Sequence, residues 1–164
     1  RRLSGGQQQR LGIAMAVVGR PELVFLDEPT AGLDPQARHA TWEIVEQLAA
    51  DGVTVVLTTH YIEEAERLAD TVTIMSEGKA VVTGRPTDLV AAHAGREVLE
   101  VYGPPARLAE VEQTAVSEGL RTRRTGTSVA VVGIEGANGF DHDGARRPAN
   151  LEDVFVLLTG EDIE

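Results

Sequence analysis

LSGGQQQR at residues 3–10 and VFLDEP at residues 24–29 decide the fold of this chain. A Ser-Gly-Gly turn that leads into a helix leaves backbone N–H groups free at the positive end of the helix dipole, where phosphate oxygens bind. The aliphatic run that follows ends in two carboxylates, Asp27 and Glu28, as expected where a buried strand presents metal-binding and water-orienting groups at a sheet edge. Together the two stretches indicate nucleotide chemistry.

Apolar patterning around these stretches predicts a parallel α/β fold. A helix is expected over residues 5–19, followed by a strand at residues 23–26 whose continuous aliphatic run indicates burial on both faces. A second helix over residues 35–48 and a second strand at residues 53–58 complete a right-handed parallel crossover.

The carboxyl ends of both predicted strands carry polar side chains. Asp27 and Glu28 end the first strand, and His60 follows the second. Ligands of open parallel sheets gather outside the carboxyl ends of the strands, so these three residues are candidates for one site.

The remaining elements continue the sheet edge and then begin a new pattern. A short helix at residues 62–68 carries Glu63 and Glu64 early, as the helix dipole prefers. A hairpin and a short helix follow, up to residue 93. A small α+β unit then has strands at residues 97–102 and 128–134 and a helix at 105–118. Residues 151–158 are expected to form an amphipathic helix or an extended packing element. The arginines between these elements are expected on a solvated face: Arg121, Arg123, Arg124, Arg146 and Arg147.

Composition excludes several classes of protein. The 164 residues carry a formal net charge of -11, which argues against a general nucleic-acid or anionic-lipid surface. Cysteine is absent, so disulfides and thiolate metal sites are excluded, as fits a cytosolic protein. No apolar run approaches the roughly 20 residues of a membrane-spanning helix, so membrane association is expected only through a partner.

Four motifs, in order, resemble those of the ATP-binding subunits of ABC transporters. They are the signature LSGGQQQR, the Walker B strand LVFLDEP, the D-loop AGLDP and the switch-histidine segment TTH. The resemblance covers residues 1 to about 89. The remainder is similar to the drug-resistance and nodulation class of exporters, through LEDVF at residues 151–155 and LTG at residues 158–160.

The resemblance implies an α/β fold with two parts. Residues 1–93 would be the C-terminal portion of the ABC ATPase domain, which is half of a P-loop NTPase parallel sheet with flanking helices. Residues 96–164 would be a small α+β accessory domain. The implied function is an ATP-binding and ATP-hydrolysing subunit of an exporter, with ATP and Mg²⁺ as cofactors.

The resemblance also implies a role for each catalytic candidate. Asp27 would hold Mg²⁺ directly or through a water, and Glu28 would polarise the attacking water as a general base. His60 would donate a hydrogen bond to the γ-phosphate. Without the flanking motifs, Asp27 and Glu28 would be interpreted as a turn or helix cap, and His60 as a loop residue.

Further residues would act across a subunit interface. In this family the signature closes over the γ-phosphate of ATP held by the facing subunit, a role that falls here on Ser4, Gly5, Gly6 and Gln7. Asp34 would contact the opposing subunit, and it is also suited to cap the helix that starts at Pro35. The implied assembly is a head-to-tail dimer on membrane-spanning permease subunits, at the cytoplasmic face of the cell membrane, with no nucleic acid.

One required part of such a site does not occur in the sequence. A phosphate loop has the form G-x-x-x-x-G-K-[ST], whereas Lys79, the only lysine, follows Glu-Gly in a predicted hairpin. The chain is therefore expected to be a fragment that neither binds ATP tightly nor hydrolyses it alone. Its truncated sheet should expose apolar edges.

Two other functions stay open at this point. A soluble ABC ATPase that acts on DNA or ribosomes would have coiled-coil insertions, tandem cores or basic extensions, and the sequence contains none of these. A non-catalytic interaction module is the second alternative, although intact Glu28 and His60 count against a decayed site. The transported substrate is not encoded here, because the membrane domains select it.

Overall fold

The computed structural model describes residues 3–134, 140 and 142–160. The chain forms two compact units, residues 1–68 and residues 69–164. The predicted domain boundary at residues 93–96 concerns functional domains and stays a prediction. Within the described residues, no helix combines the length and apolar character that crossing a membrane requires.

The first unit is a parallel strand–helix–strand crossover flanked by two further helices. Its elements are α1 (Gly5–Val17), β1 (Leu23–Asp27), α2 (Pro35–Ala50), β2 (Thr54–Thr58) and α3 (Ile62–Leu68). The strands pair in parallel from Leu23 opposite Thr54 to Asp27 opposite Thr58. The predicted α/β class is confirmed, and the register places the ends of both strands side by side.

The core of this unit lies on one face of the two strands. Val24 and Leu26 of β1 pack with Ile13 of α1 and Val45 of α2. The prediction that the first strand is buried on both faces is wrong, because burial alternates along β1 and Phe25 is 72% exposed. Both helices cover the same face, so the exposed apolar surface is a face of the sheet as well as its edges.

The second unit contains a hairpin and a four-stranded antiparallel sheet. Its elements are β3 (Val72–Ser76), β4 (Lys79–Gly84), α4 (Pro86–His93), β5 (Glu97–Tyr102), α5 (Pro105–Ser117), β6 (Arg121–Thr125), β7 (Ser128–Val132), β8 (Ala145–Pro148) and α6 (Leu151–Thr159). Strands β3 and β4 pair with each other, and the larger sheet has the order β6-β7-β5-β8. Its core joins Val101 and Val131 to Leu108 and Val111 of α5.

Two arginines of this unit are not on a solvated face. Arg147 donates two hydrogen bonds of 2.8 Å to the fully buried carboxylate of Asp153 and a third, of 3.1 Å, to Glu100. Arg123 is 9% exposed and donates to Glu152 at 2.6 Å. The prediction of a solvated arginine face is wrong for these two residues, because they attach the first turn of α6 to the sheet.

Candidate functional site

The carboxyl ends of β1 and β2 are joined by the side chain of Thr58. Its hydroxyl donates to the Asp27 carboxylate, the residue directly opposite in the parallel register. The backbone N–H of Glu28 lies 3.1 Å from the Thr58 carbonyl oxygen and 3.2 Å from its hydroxyl oxygen. Asp27 and Glu28 therefore enter the site from a backbone that β2 holds in place.

Glu28 and His60 form a contact at this edge. Nδ1 of His60 lies 2.7 Å from Oε2 of Glu28, and the two side chains are 56% and 37% exposed. The backbone of Glu28 has a φ of 47°, in the left-handed region that residues other than glycine rarely occupy. The His60 ring also lies against Tyr61, with ring centroids 4.0 Å apart. A carboxylate and an imidazole are thus in contact at this edge, and both side chains are partly exposed, although Oε2 of Glu28 itself is buried and has no hydrogen-bond partner among the described residues.

The Ser-Gly-Gly turn is the N-terminus of α1. Ser4 caps the helix by a reciprocal arrangement in which its hydroxyl accepts from Gln7 N at 3.3 Å and its own N–H donates to the Gln7 side chain at 3.0 Å. The N–H groups of Gly5 and Gly6 belong to the first turn, where the helix supplies no acceptor. These two groups fit an anionic oxygen at the positive end of the helix.

Asp34 lies close to this turn. It caps α2 by accepting from Ala37 N at 2.9 Å. A Cβ on Gly6 would lie only 3.2 Å from the Cβ of Ala37, so α1 and α2 approach each other closely at their first turns. The structure therefore brings Ser4, Gly5, Gly6 and Gln7 near the helix that Asp34 caps. Within residues 3–68, no hydrogen bond or ion pair joins this cluster to Glu28 and His60.

The oxygen ligands available at Asp27 are few, and they suit a hard cation that also binds waters and substrate phosphates. Asp27 and Thr58 supply a carboxylate and a hydroxyl oxygen. No cluster of three or more histidine, aspartate or glutamate side chains able to hold an ion occurs in the part of the chain that the structure describes. Mg²⁺ typically binds through one or two carboxylates, waters and substrate phosphates, which is consistent with this sparse set.

Two residues near the site were not predicted to have a role in it. Thr58 belongs to the TTH segment, but its contact with Asp27 depends on the strand register. Glu64 was noted only as an early acidic residue that the helix dipole favours, and the structure shows that its side chain is fully buried. No local signal distinguishes it from Glu63, which is exposed one position earlier.

Comparisons with known proteins give consistent matches. Residues 1–31 match the family model described as ABC transporter. The chain is similar to the Nod factor export ATP-binding protein I of Burkholderia thailandensis, with 43% identity over 169 aligned residues that cover 99% of this chain and 55% of that protein. The protein of the same name from Cupriavidus pinatubonensis is 40% identical over 172 residues, covering 99% and 52%. The chain thus spans about half the length of these curated relatives.

Solved structures include similar chains as well. One, described as the structure of an ATP-binding subunit of an ABC transporter, is 34% identical, with a TM-score of 0.49 over 56% of this chain and 38% of that one.

Proposed function

The chain belongs to the ATP-binding domains of ABC transporters, and we propose that it is part of an ATP-hydrolysing subunit. It supplies the residues that activate the attacking water and the residues that close over the nucleotide of the facing subunit. The 2.7 Å contact between His60 and Glu28 carries this proposal, because it couples a base to an imidazole at the strand ends. Relatives that are 43% and 40% identical are named as export ATP-binding proteins, which supports an exporter as the parent assembly.

Glu28 is the general base of the proposed reaction. Hydrolysis of a phosphoanhydride depends on an oriented water and on charge neutralisation more than on covalent chemistry. The Glu28 carboxylate orients the water and accepts its proton. His60 Nδ1 lies 2.7 Å from Oε2 of this carboxylate and limits the space in which the carboxylate can turn, although Oε2 has no hydrogen-bond partner among the described residues.

His60 is also the proposed donor to a γ-phosphate oxygen. Its Nδ1 faces Glu28, which leaves Nε2 to face the nucleotide.

Asp27, supported by Thr58, is the proposed Mg²⁺ ligand. When bound, the ion neutralises charge on the nucleotide phosphates. Thr58 keeps one Asp27 oxygen in a fixed orientation at the end of β1. Asp27 therefore acts as an anchor for the cation, while the adjacent Glu28 stays available to the water.

The first turn of α1 is the proposed contact with the nucleotide of a second subunit. Gly5 and Gly6 offer N–H groups of the first helical turn, Ser4 and Gln7 shape the turn, and Asp34 lies near the same surface. This turn supports a head-to-tail dimer of cassettes, and the family implies permease subunits at the cytoplasmic membrane face as further partners. Residues 1–93 would form the catalytic part and residues 96–164 the accessory domain.

The test is steady-state ATP hydrolysis by the full-length subunit and by its Glu28→Gln variant. The variant should lose turnover and accumulate as a nucleotide-bound dimer, visible by size-exclusion chromatography with ATP. Glu22→Gln is the matched control, because Glu22 is an exposed carboxylate that directly precedes β1, whereas Glu28 directly follows it. Unchanged ATPase activity in Glu28→Gln would remove Glu28 from the mechanism.

A further inference from the structure

Glu64 places a carboxylate inside the first unit. The side chain is fully buried, although it lies in the first turn of α3 beside an exposed glutamate. Its Oε1 accepts from the Thr30 hydroxyl at 3.0 Å and from the Trp42 indole N–H at 2.8 Å. Its Oε2 is buried with no hydrogen-bond partner among the described residues. Burying a carboxylate costs folding free energy that an apolar side chain does not, so packing alone does not account for this residue.

The donors to Glu64 connect segments that carry the proposed site. Thr30 stands two residues after Glu28, and Glu64 stands four residues after His60. The Thr30–Glu64 hydrogen bond therefore joins the chain just beyond Glu28 to the chain just beyond His60. On the other side, the Glu28 N–H is bonded to the carbonyl of Thr58. Two links between the same segments enclose the Glu28–His60 contact.

The backbone of Glu28 explains why two links are needed. A φ of 47° is unfavourable for a residue with a side chain, and such a conformation persists only where the surroundings impose it. The Thr58 link holds the residue from its N-terminal side. The Thr30–Glu64 link holds the chain on its C-terminal side, where Thr30 is itself fully buried.

We propose that Glu64 is a positioning residue, whose hydrogen bond to Thr30 holds Glu28 at hydrogen-bond distance from His60. The inference rests on the proposed function, because it assigns Glu64 to the same water-activating pair. Glu64 does not touch the reacting atoms. It acts by limiting how far the two segments move apart during turnover.

Two variants of the full-length subunit separate positioning from general support of the fold. Thr30→Val and Trp42→Phe each remove one neutral donor to the same Oε1 atom of Glu64. Only Thr30 lies in the segment of Glu28. Thr30→Val should lower kcat for ATP hydrolysis by about 10- to 100-fold, the scale expected for a misplaced catalytic group, with little change in KM. Trp42→Phe should keep most of its kcat, and Thr30→Ser should restore the activity that Thr30→Val loses.

A second readout does not depend on turnover. The ring-proton signal of His60 in the nuclear magnetic resonance spectrum reports its contact with Glu28, and His60→Gln identifies it. The signal should weaken or move in Thr30→Val and stay in Trp42→Phe. If Thr30→Val does not fold, Glu64→Gln and Glu64→Ala give the same comparison. Glutamine keeps an acceptor for Thr30 and should keep both the signal and kcat, whereas alanine should lose both.

These experiments distinguish a failure of the positioning role of Glu64 from a failure of the proposed ATP-hydrolysing function. Wild-type kcat and an unchanged His60 signal in Thr30→Val would overturn the positioning role. Equal losses of kcat in Thr30→Val and Trp42→Phe, in proportion to the fall in their melting temperatures, would also overturn it. Equal losses of kcat in Glu64→Gln and Glu64→Ala would do the same. A wild-type subunit that does not hydrolyse ATP, or a fully active Glu28→Gln, would instead overturn the proposed function.

Discussion

His60 Nδ1 lies 2.7 Å from Glu28 Oε2, so the imidazole is in direct contact with the proposed base. Removing the imidazole leaves Glu28 free to sample other rotamers and removes the donor to a phosphate. His60→Ala in the full-length subunit should therefore lower kcat by about 100-fold or more, within the range of general acid–base contributions. The KM for ATP should change little, because other groups hold the nucleotide.

The control for this variant is another histidine of the same chain. His93 is the last residue of α4 and lies outside the proposed site, so His93→Ala should keep wild-type kcat. Steady-state kinetics of both variants make the comparison. A His60→Ala subunit as active as His93→Ala would contradict a role for the imidazole.

The positions of the site residues were largely readable from the sequence, but their contacts were not. Aliphatic runs placed Asp27 and His60 at the ends of two parallel strands, because period and turn residues are local signals. The Glu28–His60 contact depends on the register between strands and on a left-handed Glu28 backbone. The burial of Glu64 was not predicted, because burial of a carboxylate is decided by partners distant in sequence.

The second unit shows the same limit of sequence patterns. Strands β6 and β8 were not predicted, since arginines occupy positions where an apolar alternation would identify a strand. Two of those arginines, Arg123 and Arg147, instead pair with the acidic first turn of α6. That turn belongs to the LEDVF segment, whose Glu152 and Asp153 therefore have a structural function in this fold.

Adjacent arginines on β8 should differ sharply in their effect on stability. Arg147→Gln removes the guanidinium that donates two hydrogen bonds to the buried Asp153 carboxylate. Breaking such a pair lowers the free energy of unfolding by about 3 kcal/mol or more. Arg146→Gln breaks an ion pair with Glu97 whose two side chains are exposed, which costs less than about 1 kcal/mol. Urea unfolding of both variants measures the difference. Equal midpoints would contradict a structural function for Arg147.

The contribution of Arg147 should not depend on pH near neutrality. The hydrogen bond to Asp153 raises the pKa of the guanidinium above its usual value, although burial opposes the shift. A pKa raised by folding stabilises the folded state at every pH below the unfolded value, and that contribution is lost only as pH rises through the folded value. The stability difference between wild type and Arg147→Gln should therefore stay level from pH 7 to pH 9. A steep change over that interval would contradict this prediction.

The two glycines of the signature turn should respond differently to alanine. A Cβ on Gly5 meets nothing within 4 Å, whereas a Cβ on Gly6 would press on Ala37 at 3.2 Å. Gly5→Ala should thus keep or slightly raise stability, by up to about 1 kcal/mol, because alanine restricts the unfolded chain. It should nevertheless weaken ATP-dependent dimerisation, since the added methyl occupies space proposed for a phosphate of the facing subunit.

Gly6→Ala is the comparison for the same turn. It should lower the melting temperature by separating α1 from α2, whether or not nucleotide is present. Thermal unfolding and size-exclusion chromatography with ATP distinguish the two variants. Dimerisation of Gly5→Ala at the wild-type level would remove this turn from the nucleotide interface.

Neighbouring residues on β1 should have opposite effects on the 164-residue chain. Phe25 is exposed on the uncovered face of the sheet, and Leu26 lies in the core on the other face. Phe25→Thr should reduce self-association with little loss of stability, because exposed aromatic surface promotes association and threonine suits a strand. Leu26→Ala should cost about 2 to 5 kcal/mol by leaving a cavity beside α1 and α2. Light scattering and thermal unfolding measure the two effects, and greater aggregation of Phe25→Thr than of wild type would show that Phe25 supports this fold instead of exposing an apolar face.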